Sequence, residues 1–117
     1  MTTIPTTQHA IQITGVDAIE VNPAKPVELH VLRLGDMVFS TNPFEYYLDF
    51  GAYIKARSSA VQTFLVQLCG GGTYVPSKRS QAGGGYGSIP ASNPVGPEGG
   101  RVLAQESVSA INALFEQ

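Results

Sequence analysis

The chain has 117 residues, seven lysines and arginines against nine aspartates and glutamates, and a pI of about 5.5. With no block of either sign, that balance excludes the basic stripe through which proteins hold nucleic acid. A single cysteine excludes a disulfide framework or a multi-thiolate zinc site, and 43% hydrophobic residues suffice for one core in one domain over residues 1–117.

Residues 1–8 are polar and threonine-rich and read as a flexible tail. The opening "MTTIPTTQHA" has no hydrophobic block, so it is not a signal peptide. No run of 18 apolar residues offers a membrane span, and a cytoplasmic chain is expected, although a longer parent chain would leave secretion open. "HAIQITGV" (9–16) alternates Ile11 and Ile13 with polar neighbours, which predicts a short strand. Residues 17–26, with two prolines, are a connector. "VELHVLRLG" (27–35) and "MVFSTN" (37–42) predict two strands joined through Gly35 and Asp36, a hairpin signal. Val27, Leu29 and Val31 share one face while Leu32 and Leu34 fall on the other. The far end of that strand should therefore be covered on both sides.

"NPFEYYLDFGAYIKARS" predicts a helix with Asn42 as N-cap, Pro43 at the first position and Glu45 at the third. Its apolar stripe would be Phe44, Tyr47, Leu48, Gly51 and Ile54, and Gly51 would let another backbone come close. "AVQTFLVQLC" (60–69) has Phe64, Leu65 and Val66 in succession, as in a central strand buried on both faces and often parallel. Cys69 at its end would behave as a small apolar residue. Residues 70–96 then hold eight of the thirteen glycines and three of the eight prolines with no apolar period. Loops of that length are mostly functional or disordered. "GPEGGRVLAQESVSAINALFEQ" closes the chain as a helix with Pro97 at its first position and Leu103, Ser107, Ala110, Ile111, Leu114 and Phe115 on one stripe. The order β-β-β-α-β-long glycine-rich loop-α predicts an α/β fold, a small mixed sheet of about four strands with two helices.

Nucleotide readings of the loop fail. In "CGGGTYVPSK" Ser77 precedes Lys78 and no glycine adjoins the lysine, unlike a phosphate-binding P-loop. "GGGYGS" lacks the third glycine of a dinucleotide fingerprint and no helix follows directly. What the loop does offer is two tyrosines, Tyr74 and Tyr86, and two cations, Lys78 and Arg79. His9 and His30 stand in no metal-ligand spacing, and His30 suits a partly solvated or core-edge position. Glu45 has two readings. It can reach back to the Asn42 N–H as a capping box, or it can present a carboxylate where a strand tip meets a helix start, the place where α/β folds build sites.

Three segments, "LHVLRLGDMVFSTNPFEYYLDFGAYIKARS", "QTFLVQLCGGGTYVPSKRSQAGGGY" and "GPEGGRVLAQESVSAINALF", together resemble the neutral ceramidase family across residues 27–116. In that family a strand with an "lriGd" turn leads to a Pro-Gly-Glu step and a helix. A "tNgYxxYvPt" segment follows, then a loop ending in a "GGYE"-like tyrosine and a terminal helix. The family are zinc amidases that cleave N-acyl bonds, the metal polarising the carbonyl and activating a water. The resemblance implies that Glu45 is the metal-binding glutamate, with Phe44 replacing the glycine before it. Tyr74 aligns with the second tyrosine of the "YxxYvP" segment, and the first falls on Gly71 or Gly72. If the ligand is the first tyrosine, this chain has lost it. Tyr86, Lys78 and Arg79 of the loop are the candidate substrate contacts, and Gly87 stands where the family has glutamate.

The family's histidine-bearing half is absent, and His9 and His30 lie in no segment resembling it. Glu45 and Tyr74 give two ligands where a catalytic zinc keeps three. The expectation is no zinc and no amide hydrolysis in the isolated chain, and zinc only with histidines from a partner or a missing segment. A homo-oligomer, or association with the missing N-terminal half, is the expected assembly. A stand-alone, non-catalytic binding or assembly module is the alternative.

Overall fold

The computed structural model describes residues 6–12, 26–89, 93 and 95–116. Three strands open it: β1 (Thr6–Gln12), β2 (Pro26–Leu34) and β3 (Met37–Thr41). A two-residue strand β4 (Glu45–Tyr46), helix α1 (Leu48–Arg57) and strand β5 (Gln62–Val66) follow. Then come β6 (Tyr74–Val75), helix α2 (Lys78–Gly83), a 3-10 turn at Tyr86–Ser88 and helix α3 (Pro97–Ala113). The main sheet has the order β1-β2-β3-β5, and β4 with β6 makes a second, two-stranded one. The α/β fold with a small mixed sheet is thus present.

The β2–β3 hairpin closes on Gly35 and Asp36, with Leu34 paired to Met37. Gly35 has φ +64°, a conformation that costs a side-chain-bearing residue and is free to glycine. β3 and β5 run parallel, a pairing that needs a crossover rather than a turn; β4 and α1 provide it. One face of the sheet, with Leu29, Val31 and Val38, packs on Phe50 and Ile54 of α1 and on Leu103, Ala104, Ala110 and Ile111 of α3. Each fully buried aliphatic side chain there contributes roughly 1.5–3 kcal/mol. The α3 stripe is as expected, with Phe115 half-buried under the Arg33 guanidinium, 4.0 Å from the ring centroid. Arg33 Nη1 also donates to the Leu114 carbonyl at 2.7 Å, a cation on the negative end of the helix.

Several expectations are corrected. Thr6, Thr7 and Gln8 belong to β1, so the tail does not reach residue 8; residues 1–5, and 13–16 of the expected first strand, lie outside the described residues. The helix does not start at Asn42. The Asn42 side chain instead accepts from the Phe44 N–H at 3.0 Å, and its backbone N–H donates to the Val66 carbonyl at 3.0 Å. The chain therefore stays extended through Glu45 and Tyr46, and α1 begins at Leu48. This shifts the buried stripe to Phe50, Gly51 and Ile54, while Leu48 is 85% exposed. Gly51 is approached by the Leu65 side chain rather than by a backbone: a Cβ there would sit 3.1 Å from Leu65 Cδ1.

β5 is parallel, as expected, but lies at the sheet edge and not at its centre. Phe64 and Val66 are 40% and 41% exposed. Leu32 and Leu34 are likewise exposed, the described helices packing on the opposite face. Cys69 is exposed rather than packed. His30 is partly solvated, 3.6 Å from Glu28.

Over its described residues the glycine-rich stretch is neither structureless nor a plain excursion. Gly72 runs flush against Pro43, where a Cβ would overlap the Pro43 carbonyl. Only glycine permits that approach, which brings Tyr74 and Val75 into pairing range of β4. Ser77 caps α2 by accepting from the Ser80 N–H at 3.2 Å, and Gly84 ends it in the left-handed conformation, φ 73°. Among the described residues, no helix is long and apolar enough to cross a membrane.

Candidate functional site

Extended backbone alternates its side chains, and residues 45–47 show what that does here. Tyr46 turns inward, stacks on Phe50 with centroids 4.6 Å apart, and donates its hydroxyl to the Gly100 carbonyl of α3. Burial pushes the Tyr46 phenol far above the usual tyrosine range. Glu45 and Tyr47, two residues apart, share the other side. The strand β4 pairs in parallel with β6, and the register sets Glu45 opposite Tyr74 and Tyr46 opposite Val75. Backbone bonds from Glu45 N–H to the Thr73 carbonyl at 3.2 Å and from Tyr47 N–H to the Val75 carbonyl at 3.3 Å fix that register.

Two side chains take the place of missing strands beside this pair. Gln67 Oε1 accepts from the Tyr46 N–H at 2.9 Å. Asn93, buried, accepts from the Tyr74 N–H at 3.0 Å while its own amide donates to the Ile89 carbonyl at 3.1 Å. Neither was singled out by sequence reasoning. An isolated amide acting as a strand surrogate carries no periodic or spacing signal.

The result is a cluster of one carboxylate and three phenols. The register sets the Glu45 carboxylate beside Tyr74; its hydrogen-bonding pull first, and then its charge, hold the Tyr74 proton above the usual tyrosine range. The Tyr47 ring stands edge-on to Tyr74 at 6.4 Å and 82°, and Tyr86 stands edge-on to it at 6.1 Å and 82°. Tyr86 is 80% exposed. Beneath it, Gly87 is buried against the Tyr47 hydroxyl, in a space that a Cβ would fill.

Of the residues expected at a site, Glu45, Tyr74 and Tyr86 are therefore brought together, and Tyr47 joins them unannounced because its place on a helical stripe hid its alternation with Glu45. Lys78 and Arg79 are engaged elsewhere. Lys78 pairs with Glu98 at 3.1 Å and Arg79 with Asp49 at 2.7 Å, both as largely exposed pairs. A cleft of about 360 Å³ flanks the cluster on the α1–β5 side, lined by Tyr47, Leu48, Gly51, Lys55, Leu65 and Gln67 among others. Among the described residues, no three histidine, cysteine or acidic side chains gather as a metal group. Glu45 supplies a carboxylate oxygen of the kind zinc accepts, and Tyr74 a phenol oxygen beside it.

No family model and no curated protein matches this sequence. Among solved structures the fold is similar to neutral ceramidase from Pseudomonas aeruginosa, with a TM-score of 0.67, 19% identity and 79% of this chain covered. A ceramidase complexed with C2 is similar at a TM-score of 0.67 and 18% identity over 81% of this chain. The chain spans 16% and 17% of the lengths of those proteins. What is shared is a ceramidase-like fold over part of a much longer chain.

Proposed function

We propose that this chain is the carboxylate- and tyrosine-bearing part of a ceramidase-like amide hydrolase, acting on N-acyl substrates only when histidines from a partner or a missing segment complete a zinc site. The observation that carries this reading is the Glu45–Tyr74 cross-strand pair: the two residues that the family resemblance marks as ligands are register partners. Glu45 and Tyr74 would hold two positions on the metal. The bound ion would supply carbonyl polarisation and an activated water. A phenol is protonated through neutral pH, so Tyr74 would enter the site as a neutral oxygen. Tyr86, edge-on to Tyr74 and open to solvent, would contact the substrate. Lys78 and Arg79 would do so only by leaving their ion pairs.

Metal analysis of the purified chain, alone and mixed with a histidine-bearing partner, tests the proposal. Zinc and N-acyl amide hydrolysis are expected only in the mixture, with both lost in Glu45→Gln. Stoichiometric zinc in the chain alone would contradict the count of two ligands, and zinc retained by the mixture carrying Glu45→Gln would contradict the role of Glu45.

A second reading, a non-catalytic assembly module, is favoured by the outer face of the sheet. Leu32, Phe39 and Phe64 line up across β2, β3 and β5 in one row, with Phe39 and Phe64 stacked at 4.9 Å. A solvent-facing apolar row beside an edge strand is suited to covering by another chain. This reading expects a homo-oligomer and no zinc under any condition; a Phe64→Lys variant that leaves light-scattering mass unchanged would count against it.

A further inference from the structure

We infer that the Glu45–Tyr47–Tyr74–Tyr86 cluster is a binding site for a small alkylated ammonium ion. Three features of the cluster converge on that ligand. The ring planes of Tyr47 and Tyr86 each stand at 82° to that of Tyr74, so the cluster offers ring faces in more than one direction. Each face carries the negative lobe of an aromatic quadrupole, which attracts a cation within about 6 Å of the centroid. The carboxylate-bearing Glu45 is the cross-strand partner of Tyr74 and, among the described residues, has no cationic partner within ion-pair distance. The two cations of the glycine-rich stretch are paired elsewhere, Lys78 with Glu98 and Arg79 with Asp49. Finally, Tyr86 holds its ring 80% exposed on a 3-10 turn, an arrangement that core packing does not explain.

The chemistry selects the alkylated form. A bare ammonium or a metal ion is strongly hydrated and exchanges its water only for several oxygen donors. An ion carrying methyl groups is weakly hydrated, so ring faces replace its water at little cost while the carboxylate matches its charge. Gly87 contributes by having no side chain, since a Cβ there would displace the Tyr47 hydroxyl and separate the rings. The site shares Glu45 and Tyr74 with the proposed metal reading but does not rest on it. Failure of the chain to take zinc from a histidine-bearing partner would leave the ammonium site untouched, and the reverse also holds.

The test uses the purified chain, whose five tyrosines and absence of tryptophan make its fluorescence a tyrosine signal throughout. Choline and tetramethylammonium are titrated against 3,3-dimethyl-1-butanol, the neutral isostere of choline, with ionic strength held constant by sodium chloride. Both cations are expected to give saturable quenching with half-saturation on the order of 1 mM, and their methyl proton resonances should move upfield from the ring currents. The neutral isostere should do neither. Tyr86→Ala should weaken binding about 3–5-fold while Tyr86→Phe keeps it within about twofold, because the ring and not the hydroxyl is used. Glu45→Gln should weaken it about fivefold through loss of charge. The inference is overturned if nothing saturates up to about 100 mM, if the neutral alcohol binds as well as choline, or if Tyr86→Ala binds like the wild type.

Discussion

Gly87→Ala tests how this site is packed, because the sequence alone would treat the substitution as harmless. The φ of Gly87 lies outside the left-handed region, so alanine fits the backbone and should gain about 0.4–1 kcal/mol by restricting the unfolded chain. The surroundings say otherwise. A Cβ at 87 would overlap the Tyr47 hydroxyl oxygen and stand 3.1 Å from Tyr74 Cδ1 and 3.2 Å from Tyr47 Cζ. Forcing an extra carbon into such a space costs typically about 1–3 kcal/mol, which leaves a net loss of up to about 2.5 kcal/mol. The cause is one oxygen atom, so Tyr47→Phe should remove most of the penalty. In the Tyr47→Phe background Gly87→Ala should change stability by less than about 0.5 kcal/mol, and the double-mutant cycle should show a coupling of about 1–2 kcal/mol. Urea unfolding followed by far-ultraviolet circular dichroism reads all four proteins. An alanine that stabilises the parent chain, or one that costs the same in both backgrounds, would refute the packing argument. Glutamate at 87, the residue that the resemblance places there, meets the same obstruction and should cost more.

Glu45→Gln removes the charge that holds the Tyr74 proton; ultraviolet titration should then show Tyr74 ionising closer to the ordinary tyrosine value, and an unchanged titration would deny the carboxylate's pull. Tyr46 and Tyr74 both have folded-state phenols that ionise above the unfolded value of 10.0. The stability they contribute is fully present below that pH and is lost as pH rises through the folded values; thermal midpoints should hold steady to about pH 9 and fall beyond pH 10, more gently in Tyr46→Phe. Gly100→Ala should destabilise by about 1–3 kcal/mol despite alanine's advantage of ~1 kcal/mol in a helix, because its Cβ would lie 2.5 Å from Phe50 Cζ and 2.7 Å from Val75 Cγ1. Leu68, at φ 61° and 56% exposed, adopts a conformation that costs a non-glycine residue roughly 1–2 kcal/mol; Leu68→Gly should therefore be neutral or up to about 1 kcal/mol more stable in urea, and a clear loss would contradict it.

What was legible in the sequence is what local physics determines. The Gly35–Asp36 turn, the β2 and β3 strands and the α3 stripe follow from turn chemistry and apolar period, and all three stand in the structure. Asn42-Pro43 satisfies every local rule for a helix cap, yet α1 begins only at Leu48. Tertiary partners override the rule: the backbone of 42–46 finds its hydrogen bonds on Val66, Gln67 and Thr73, all more than twenty residues away, so the cap is never needed. The same long-range pairing gave the glycine stretch its order. Gly72 reads as flexibility in the sequence, yet in the fold it is the residue that lets β6 reach β4. Hydrophobicity at β5, Leu32 and Leu34 predicts burial because it reports that a face needs cover, but it does not say which element supplies that cover.

The move of Glu45 from helix to strand decides what the carboxylate can do. As the third residue of a capped helix it would have spent its oxygens on backbone N–H groups and its charge on the helix dipole. On β4 it faces a phenol instead and keeps lone pairs for a ligand. With glycine at 87, the cluster holds a single carboxylate among neutral phenols. One negative charge neutralises a monovalent ion outright, whereas a divalent ion leaves an excess positive charge that donors from elsewhere must accommodate. The two proposed occupants therefore separate on stoichiometry of charge: the organic cation needs nothing beyond these four side chains, and zinc needs a second polypeptide. If both readings hold, adding the histidine-bearing partner with zinc should release bound choline, because the two ions compete for Glu45. Choline that remains bound beside stoichiometric zinc would show that Glu45 serves only one of them.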